Sequence, residues 1–281
     1  MFRNLEAERD FALRLAVVQG RVIKTAFRRG TTTNTKGDGT VVTETDLLVS
    51  RNTVAAYQER GIGVVSEEGG TARYGDFNVA IVDPIDGTKD FVKGQQRRPL
   101  KSVAMYSLGL ARRELVVGVA YAPLLQSRAR LYGAIAGGDA ALYDDKLRLF
   151  KTLQVASSAT KGVVMVSAGS YGQKVAANLA KMGLRPVVAD SAVFKAIAVA
   201  DSGLVRAYDG TLLQGTEQVV GFVSTGTHLH DYAASAVIVR AAGGIATSLN
   251  NGPLSFQAGR QGCVMSANAE IHAKLLDAAK V

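Results

Sequence analysis

The run Val79-Ala80-Ile81-Val82, followed directly by Asp83-Pro84-Ile85-Asp86-Gly87-Thr88, constrains this chain more than any other stretch. Uninterrupted apolar residues rich in β-branched side chains predict a buried strand. The two carboxylates, three residues apart, fall at its end, and Gly87 and Thr88 offer a place for a helix to begin. Pro84 stiffens the turn, and Gly87 lets backbone N–H groups come close to an anion. That arrangement suits a divalent cation beside a phosphate. It equally suits a solvated turn, since Asp, Pro and Gly are common turn residues. The six residues alone leave both readings open.

With 281 residues the chain has room for one large domain or two modest ones. A content of 47% hydrophobic and 20% charged residues marks an ordinary folded protein rather than a disordered one. The net charge of +9 favours anionic partners. Lys and Arg are spread along the chain, however, and the densest cluster, Lys93 to Lys101 with Arg97-Arg98, is short. A solvated surface therefore explains the charge better than a specific nucleic-acid face. Cys263 is the single cysteine, so no intramolecular disulfide forms, and within Gly262-Cys263-Val264-Met265 it reads as an inert buried thiol. The N-terminal residues lack a signal-peptide core, and no apolar run approaches the roughly 20 residues of a membrane span. The expectation is a soluble, cytoplasmic protein.

Apolar periodicity predicts a helix over 5–28, a Thr- and Gly-rich loop carrying Lys36 over 30–40, and a second helix opening at Thr43-Glu44-Thr45-Asp46 and running to about Arg60. Strands are expected at 63–66, 78–83, 102–108, 114–120 and 129–132. Beyond residue 150 the pattern alternates: strand 163–167, helix 171–182, strand 185–188, helix 192–201, strand 204–208, helix 231–242, strands 245–247 and 262–266, and a last helix from 269. The first half reads as α+β and the second as α/β, giving expected units of 1–150 and 151–281 with no Pro/Ser-rich linker between them.

Further acids stand at predicted element ends. Glu67-Glu68 follows the strand Val64-Val65-Ser66, and Asp231 opens a helix in His228-Leu229-His230-Asp231-Tyr232-Ala233-Ala234-Ser235. Each has a bland account, as an acidic turn or a helix-capping Asp. Asp46 has one too, since Thr43-x-x-Asp46 is close to a capping box. Together, Glu68, Asp83, Asp86 and Asp231 supply the hard oxygen ligands that suit Mg²⁺, and no Cys/His cluster suits zinc. Two such ions would activate a water and stabilise the leaving oxygen of a phosphoryl transfer.

In sequence order, Val42-Thr43-Glu44-Thr45-Asp46, Ser66-Glu67-Glu68, Asp83 to Thr88, Asp231 to Ser235 and Gly243-Gly244 resemble the motifs of the inositol monophosphatase family of Mg²⁺-dependent, lithium-sensitive phosphatases. The resemblance implies a layered α-β-α-β-α sandwich and, by family expectation, a homodimer acting on a small phosphorylated substrate. It implies that Glu68, Asp83 and the Ile85 carbonyl hold one metal, and that Asp83, Asp86 and Asp231 hold a second. Thr88, partnered by Asp46, would orient the attacking water. Backbone N–H groups of Gly87 and Thr88 would bind phosphate, with Lys36 beside it. Glu67 is given a supporting or third-metal role. His228 is open between a site residue and a structural histidine.

The chain departs from that family at three places. His230 stands where Trp is usual, the link 209–227 is long, with Ser224 near the place of an acidic residue that contacts inositol hydroxyls, and Gln95-Gln96-Arg97-Arg98-Pro99 is unusually basic. The expected activity is hydrolysis of an inositol monophosphate-like phosphomonoester. The alternatives are a 3′-phosphoadenosine 5′-phosphate 3′-phosphatase, to whose S-x-K-F pattern Asp190 to Lys195 is faintly similar, and a fructose-1,6-bisphosphatase. A non-catalytic metal- and anion-binding protein is the different-class alternative.

Overall fold

Asn4 opens the chain's first helix by accepting the Ala7 backbone N–H at 3.0 Å, as an N-cap residue does. The computed structural model describes residues 4–37, 39–97, 100–125 and 128–281, so Arg98 and Pro99 of the basic loop lie outside the described residues. Helix α1 (Leu5–Arg29) buries Leu13, Ala16, Ile23 and Phe27, residues at helical spacing on one face. A small hairpin, β1 (Thr33–Thr35) with β2 (Val41–Thr43), carries Lys36 in its loop and leads into α2 (Glu44–Gln58). There follow β3 (Gly63–Ser66), β4 (Val79–Asp86), α3 (Thr88–Gly94), β5 (Met105–Ala111), β6 (Leu115–Ala122), β7 (Arg130–Ile135), β8 (Ala140–Tyr143) and β9 (Leu149–Thr152). The second half comprises β10 (Val163–Val166), α4 (Ser170–Lys181), β11 (Arg185–Val188), α5 (Ala192–Ala200), α6 (Ser202–Tyr208), β12 (Val219–Thr227), α7 (Leu229–Ala241), β13 (Ile245–Ser248), β14 (Gln261–Ser266) and α8 (Ala269–Ala278).

Strands β3 to β9 form one sheet in chain order, and a second sheet has the order β11-β10-β12-β14-β13. Helices α1 and α2 cover one face of the first sheet, α5 and α7 lie between the sheets, and α4 and α8 cover the outer face of the second. This is the expected α-β-α-β-α layering. Strand β4 shows how the core is divided. Val79 and Ile81 join the cluster that includes Ala233 and Val237 of α7, whereas Ala80 and Val82 join the cluster that includes Leu13 and Ala16 of α1. Both faces are apolar because both are covered, which explains the unbroken hydrophobic run.

Three expectations are corrected. Residues 204–208 belong to helix α6: Asp201 caps it by accepting the Gly203 N–H at 3.2 Å, and the neighbours Leu204 and Val205 are both buried, where a half-buried strand would alternate. The supposed link 209–227 ends in β12, the central strand of the second sheet. Strands β8 and β9, absent from the expectation, extend the first sheet to Thr152.

Candidate active site

Asp83 and Asp86 are an odd number of residues apart, and an uninterrupted strand would send them to opposite faces. The β4–β5 ladder prevents this. Asp83 pairs with Ser107 and Asp86 with Met105, so three steps on β4 oppose two on β5. The extra residue is a bulge, the place where a strand tolerates Pro84. Both carboxylates consequently lie with Asp231, their ligand atoms within 4.8 Å of one another.

Asp231 occupies the first turn of α7, whose Ala233 and Ala234 press against Gly109 and Gly118 of the sheet. One of its oxygens, Oδ2, accepts the His228 N–H at 2.6 Å. Asp46 is built the same way. Its Oδ2 accepts the Thr43 N–H at 2.9 Å, and its Oδ1 accepts the Thr88 hydroxyl at 3.0 Å. The Thr88 hydroxyl also lies 2.9 Å from the Ile85 carbonyl. In each case the capping reading holds, and the same carboxylate keeps a second oxygen for the cleft. Gly87 caps α3 at φ +92°, a conformation that side chains resist, and any Cβ there would sit 3.0 Å from Ser191 Cβ.

The structure gathers Glu67, and not Glu68, with Asp83. Strand β3 runs parallel to β4 with Ser66 opposite Val82, and the Ser66 hydroxyl meets Ser50 of α2 at 2.7 Å. Glu67, the next residue, turns to the opposite face and groups with Asp83 and His230, again within 4.8 Å. Glu68 is held instead by Lys36, whose Nζ lies 2.5 Å from Glu68 Oε1 and 3.1 Å from Glu67 Oε1. Burial disfavours the Lys36 ammonium, but these two carboxylates raise its pKa above the usual lysine value.

The carboxylates repel one another. Burial, then Glu67, Asp86 and Asp231, hold Asp83 well above the usual range. Burial and the charge of Asp231 push Asp86 up to about 7. Burial pushes Asp231 up to about 7 as well, against the His228 N–H that favours its charged form. Asp83 Oδ1 is buried and, among the described residues, has no hydrogen-bond partner. A divalent cation would resolve both the repulsion and the orphaned acceptor, so the donor set fits a metal. The cleft, about 350 Å³, is lined by Asp83, Asp86, Thr88, Asp190, Asp231 and Arg260 among others.

Sequence reasoning missed how the second half grips Asp86. Ser191, at φ +62°, donates its hydroxyl to Asp86 Oδ2 while capping α5, and the N–H groups of Val193 and Ala192 reach the same carboxylate at 2.7 and 3.2 Å. Buried Lys195 adds positive charge toward Asp86 and Asp231. The carboxylate that Ser191 grips lies more than a hundred residues away, so no local pattern marks the pairing. His228 and His230 stack with ring centroids 5.2 Å apart. Arg97 binds Asp90 at 2.6 Å and Tyr208 at 3.0 Å, and the described part of its loop does not line the cleft.

Residues 4–280 match the model of the inositol monophosphatase family. The chain belongs to the inositol monophosphatase family. It is therefore a phosphoric monoester hydrolase of a metal-dependent family that acts on small phosphorylated substrates. Among its relatives in the family, inositol-1-monophosphatase ImpA of Mycolicibacterium smegmatis is 29% identical over 85% of this chain and 79% of its own length. The Nus factor SuhB of Pasteurella multocida is 27% identical over 86% and 85%. The extragenic suppressor protein SuhB of Bartonella henselae shares the fold with TM-score 0.77 at 20% identity, covering 98% of both chains. An IMPase of Thermotoga maritima does so with TM-score 0.74 at 22% identity, covering 96% and 95%. Among the described residues, no helix is long and apolar enough to cross a membrane.

Proposed function

We propose that this inositol monophosphatase family member is a Mg²⁺-dependent phosphatase that hydrolyses a small, inositol monophosphate-like phosphomonoester by direct attack of water. The observation that carries this reading is the convergence of Asp83, Asp86 and Asp231 from distant parts of the chain next to the Thr88–Asp46 pair. Bound among these carboxylates, divalent cations supply positive charge to phosphoryl oxygens and acidify water. The protein's own groups do the rest. The Thr88 hydroxyl donates to Asp46 Oδ1 and keeps lone pairs that accept from a water, which fixes the direction of attack. Burial raises the Asp46 pKa, so Asp46 is a competent end point for the proton relayed through Thr88. Backbone N–H groups of Gly87 and Thr88 receive the phosphate, helped by Lys36, and His228, stacked on His230, is a further candidate contact.

Direct attack of water on the phosphoryl group forms no phosphoenzyme and requires no protein nucleophile. Phosphate release from inositol phosphates, fructose 1,6-bisphosphate and 3′-phosphoadenosine 5′-phosphate, each with Mg²⁺ and with or without Li⁺, tests the reading. Inositol monophosphates are expected to be turned over, Li⁺ to inhibit, and Asp86→Asn to abolish release. A folded Asp86→Asn protein with undiminished Mg²⁺-dependent release would sink the proposal.

A further inference from the structure

The geometry points to His230 as a nitrogen ligand that, with Glu67 and Asp83, holds a first-row transition-metal dication beside an all-oxygen Mg²⁺ position on Asp83, Asp86 and Asp231. This rests on the reading of the cleft as a metal site and concerns which metal each part of it takes.

Among the described residues two groups of three ligands exist, each with its ligand atoms within 4.8 Å, and Asp83 belongs to both. One consists of carboxylates alone. The other contains an imidazole that is 5% exposed. Between them lies the buried Asp83 Oδ1, an acceptor that no hydrogen bond among the described residues satisfies.

The bland account of His230 is a buried histidine with both nitrogens satisfied, and the chain provides an example of one. His272, equally buried, has its ring nitrogens 2.9 Å from Thr247 Oγ1 and 2.9 Å from Ser266 Oγ. His230 differs. Its Nδ1 meets the Tyr74 hydroxyl at 3.2 Å, but its Nε2 lies 3.7 Å from Asp231 Oδ1, beyond hydrogen-bond distance. In the tautomer whose Nδ1–H donates to Tyr74, the lone pair is on Nε2, and the His228 ring lies parallel at 5.2 Å. One nitrogen oriented by a neighbour and the other presented to a carboxylate pair is how a metal-ligating histidine is built. Mg²⁺ prefers oxygen and retains water, whereas imidazole suits first-row transition ions. An Asn- or Trp-like group at this position would leave only oxygens and remove the preference.

The test uses the full chain, stripped with chelator and titrated with Mn²⁺, and reads the nitrogen-14 hyperfine coupling of bound Mn²⁺ by pulsed electron paramagnetic resonance. Directly coordinated nitrogen is expected in the native protein and in His228→Asn, and its loss in His230→Asn. Mn²⁺ affinity is expected to fall about tenfold or more in His230→Asn, with a loss of about tenfold in Tyr74→Phe, while Mg²⁺ affinity changes little. Should His230→Asn fail to fold by circular dichroism, His230→Gln and Tyr74→Phe carry the comparison. No nitrogen coupling in the native protein, coupling that survives loss of the His230 ring, or coupling that disappears with His228 instead, each overturns the assignment. Phosphate release from the same samples separates the two readings. Turnover without nitrogen coupling removes only the nitrogen ligand, and nitrogen coupling without any turnover removes only the phosphatase.

Discussion

At the scale of single residues, the proposed chemistry turns on a hydroxyl with one proton and two acceptors in reach, Asp46 Oδ1 at 3.0 Å and the Ile85 carbonyl at 2.9 Å. Donation to Asp46 links Thr88 to a base; donation to Ile85 does not. If the link carries catalysis, Thr88→Ala should lower kcat by about 10²- to 10⁴-fold, the range for a lost proton-transfer group, with Mg²⁺ affinity by calorimetry unchanged. Thr88→Ser should restore most of the rate. A Thr88→Ala enzyme with native kcat would show that water is positioned by something else. The Glu67/Glu68 pair shows how legible such roles were. Both acids looked alike in the sequence, and resemblance placed Glu68 on the metal. Strand parity brings the first of them to Asp83: Val65 packs on the α7 side and Val64 on the α1 side, so Ser66 and Glu67 alternate in turn and Glu67 arrives beside Asp83. That signal was present, but it needed the neighbouring strand's register to be read.

At the scale of elements, a bulge and two helix caps build the site. The bulge at Pro84 brings Asp83 and Asp86 to one face. Asp46 and Asp231 each tie one oxygen to the start of their own helix, which makes local helix formation and site geometry the same event. The position of Asp231 then depends on how closely α7 packs on the sheet. A Cβ on Gly118 would lie 2.2 Å from the Ala234 carbonyl oxygen, a backbone atom that cannot step aside without moving the helix. Gly118→Ala is therefore expected to destabilise the fold by about 1–3 kcal/mol and to weaken Mg²⁺ binding, seen as a lower melting temperature and a weaker metal titration. Native melting and native metal affinity would mean that α7 is not clamped there. Helix α1 was legible from its apolar periodicity, β4 from its unbroken apolar run, and α2 and α7 from the acids that open them. The short α6 was read as a strand because Leu204, Val205 and their neighbours are too few to show a period. Strand β12 was hidden because Gly221, Ser224 and Gly226 interrupt its β-branched residues, and only its place between β10 and β14 explains its burial.

At the scale of the molecule, one apolar cluster joins the sheets. Ile81 and Met105 of the first and Val164 and Met265 of the second meet across α5 and α7. Thermal unfolding is accordingly expected as a single transition, and its pH dependence follows from the groups buried between the layers. Asp86 and Asp231, with pKa values of about 7 in the folded chain, start from the ordinary 3.8 when unfolded. Between those values the folded state keeps protons that the unfolded chain releases, so the stability they contribute is complete below about 4 and is lost as pH rises through about 7. Asp83, Asp46 and Glu68 are raised by burial too and act in the same direction. The two buried histidines, His230 and His272, oppose this: burial lowers both below 6.5, so their share returns as pH rises toward that value. Asp144, held down to about 2 by the Arg148 backbone, matters only in more acid solution. In chelator the melting temperature should therefore fall from about pH 4 to about pH 7, and Asp86→Asn should flatten the fall. The proposed Mg²⁺ site needs its carboxylates charged, so Mg²⁺ should raise the melting temperature more at about pH 8 than at about pH 5. Scanning fluorimetry in chelator and in Mg²⁺ measures both slopes. A Mg²⁺ effect that is equal at the two pH values, or larger in acid, would detach the cation from these carboxylates.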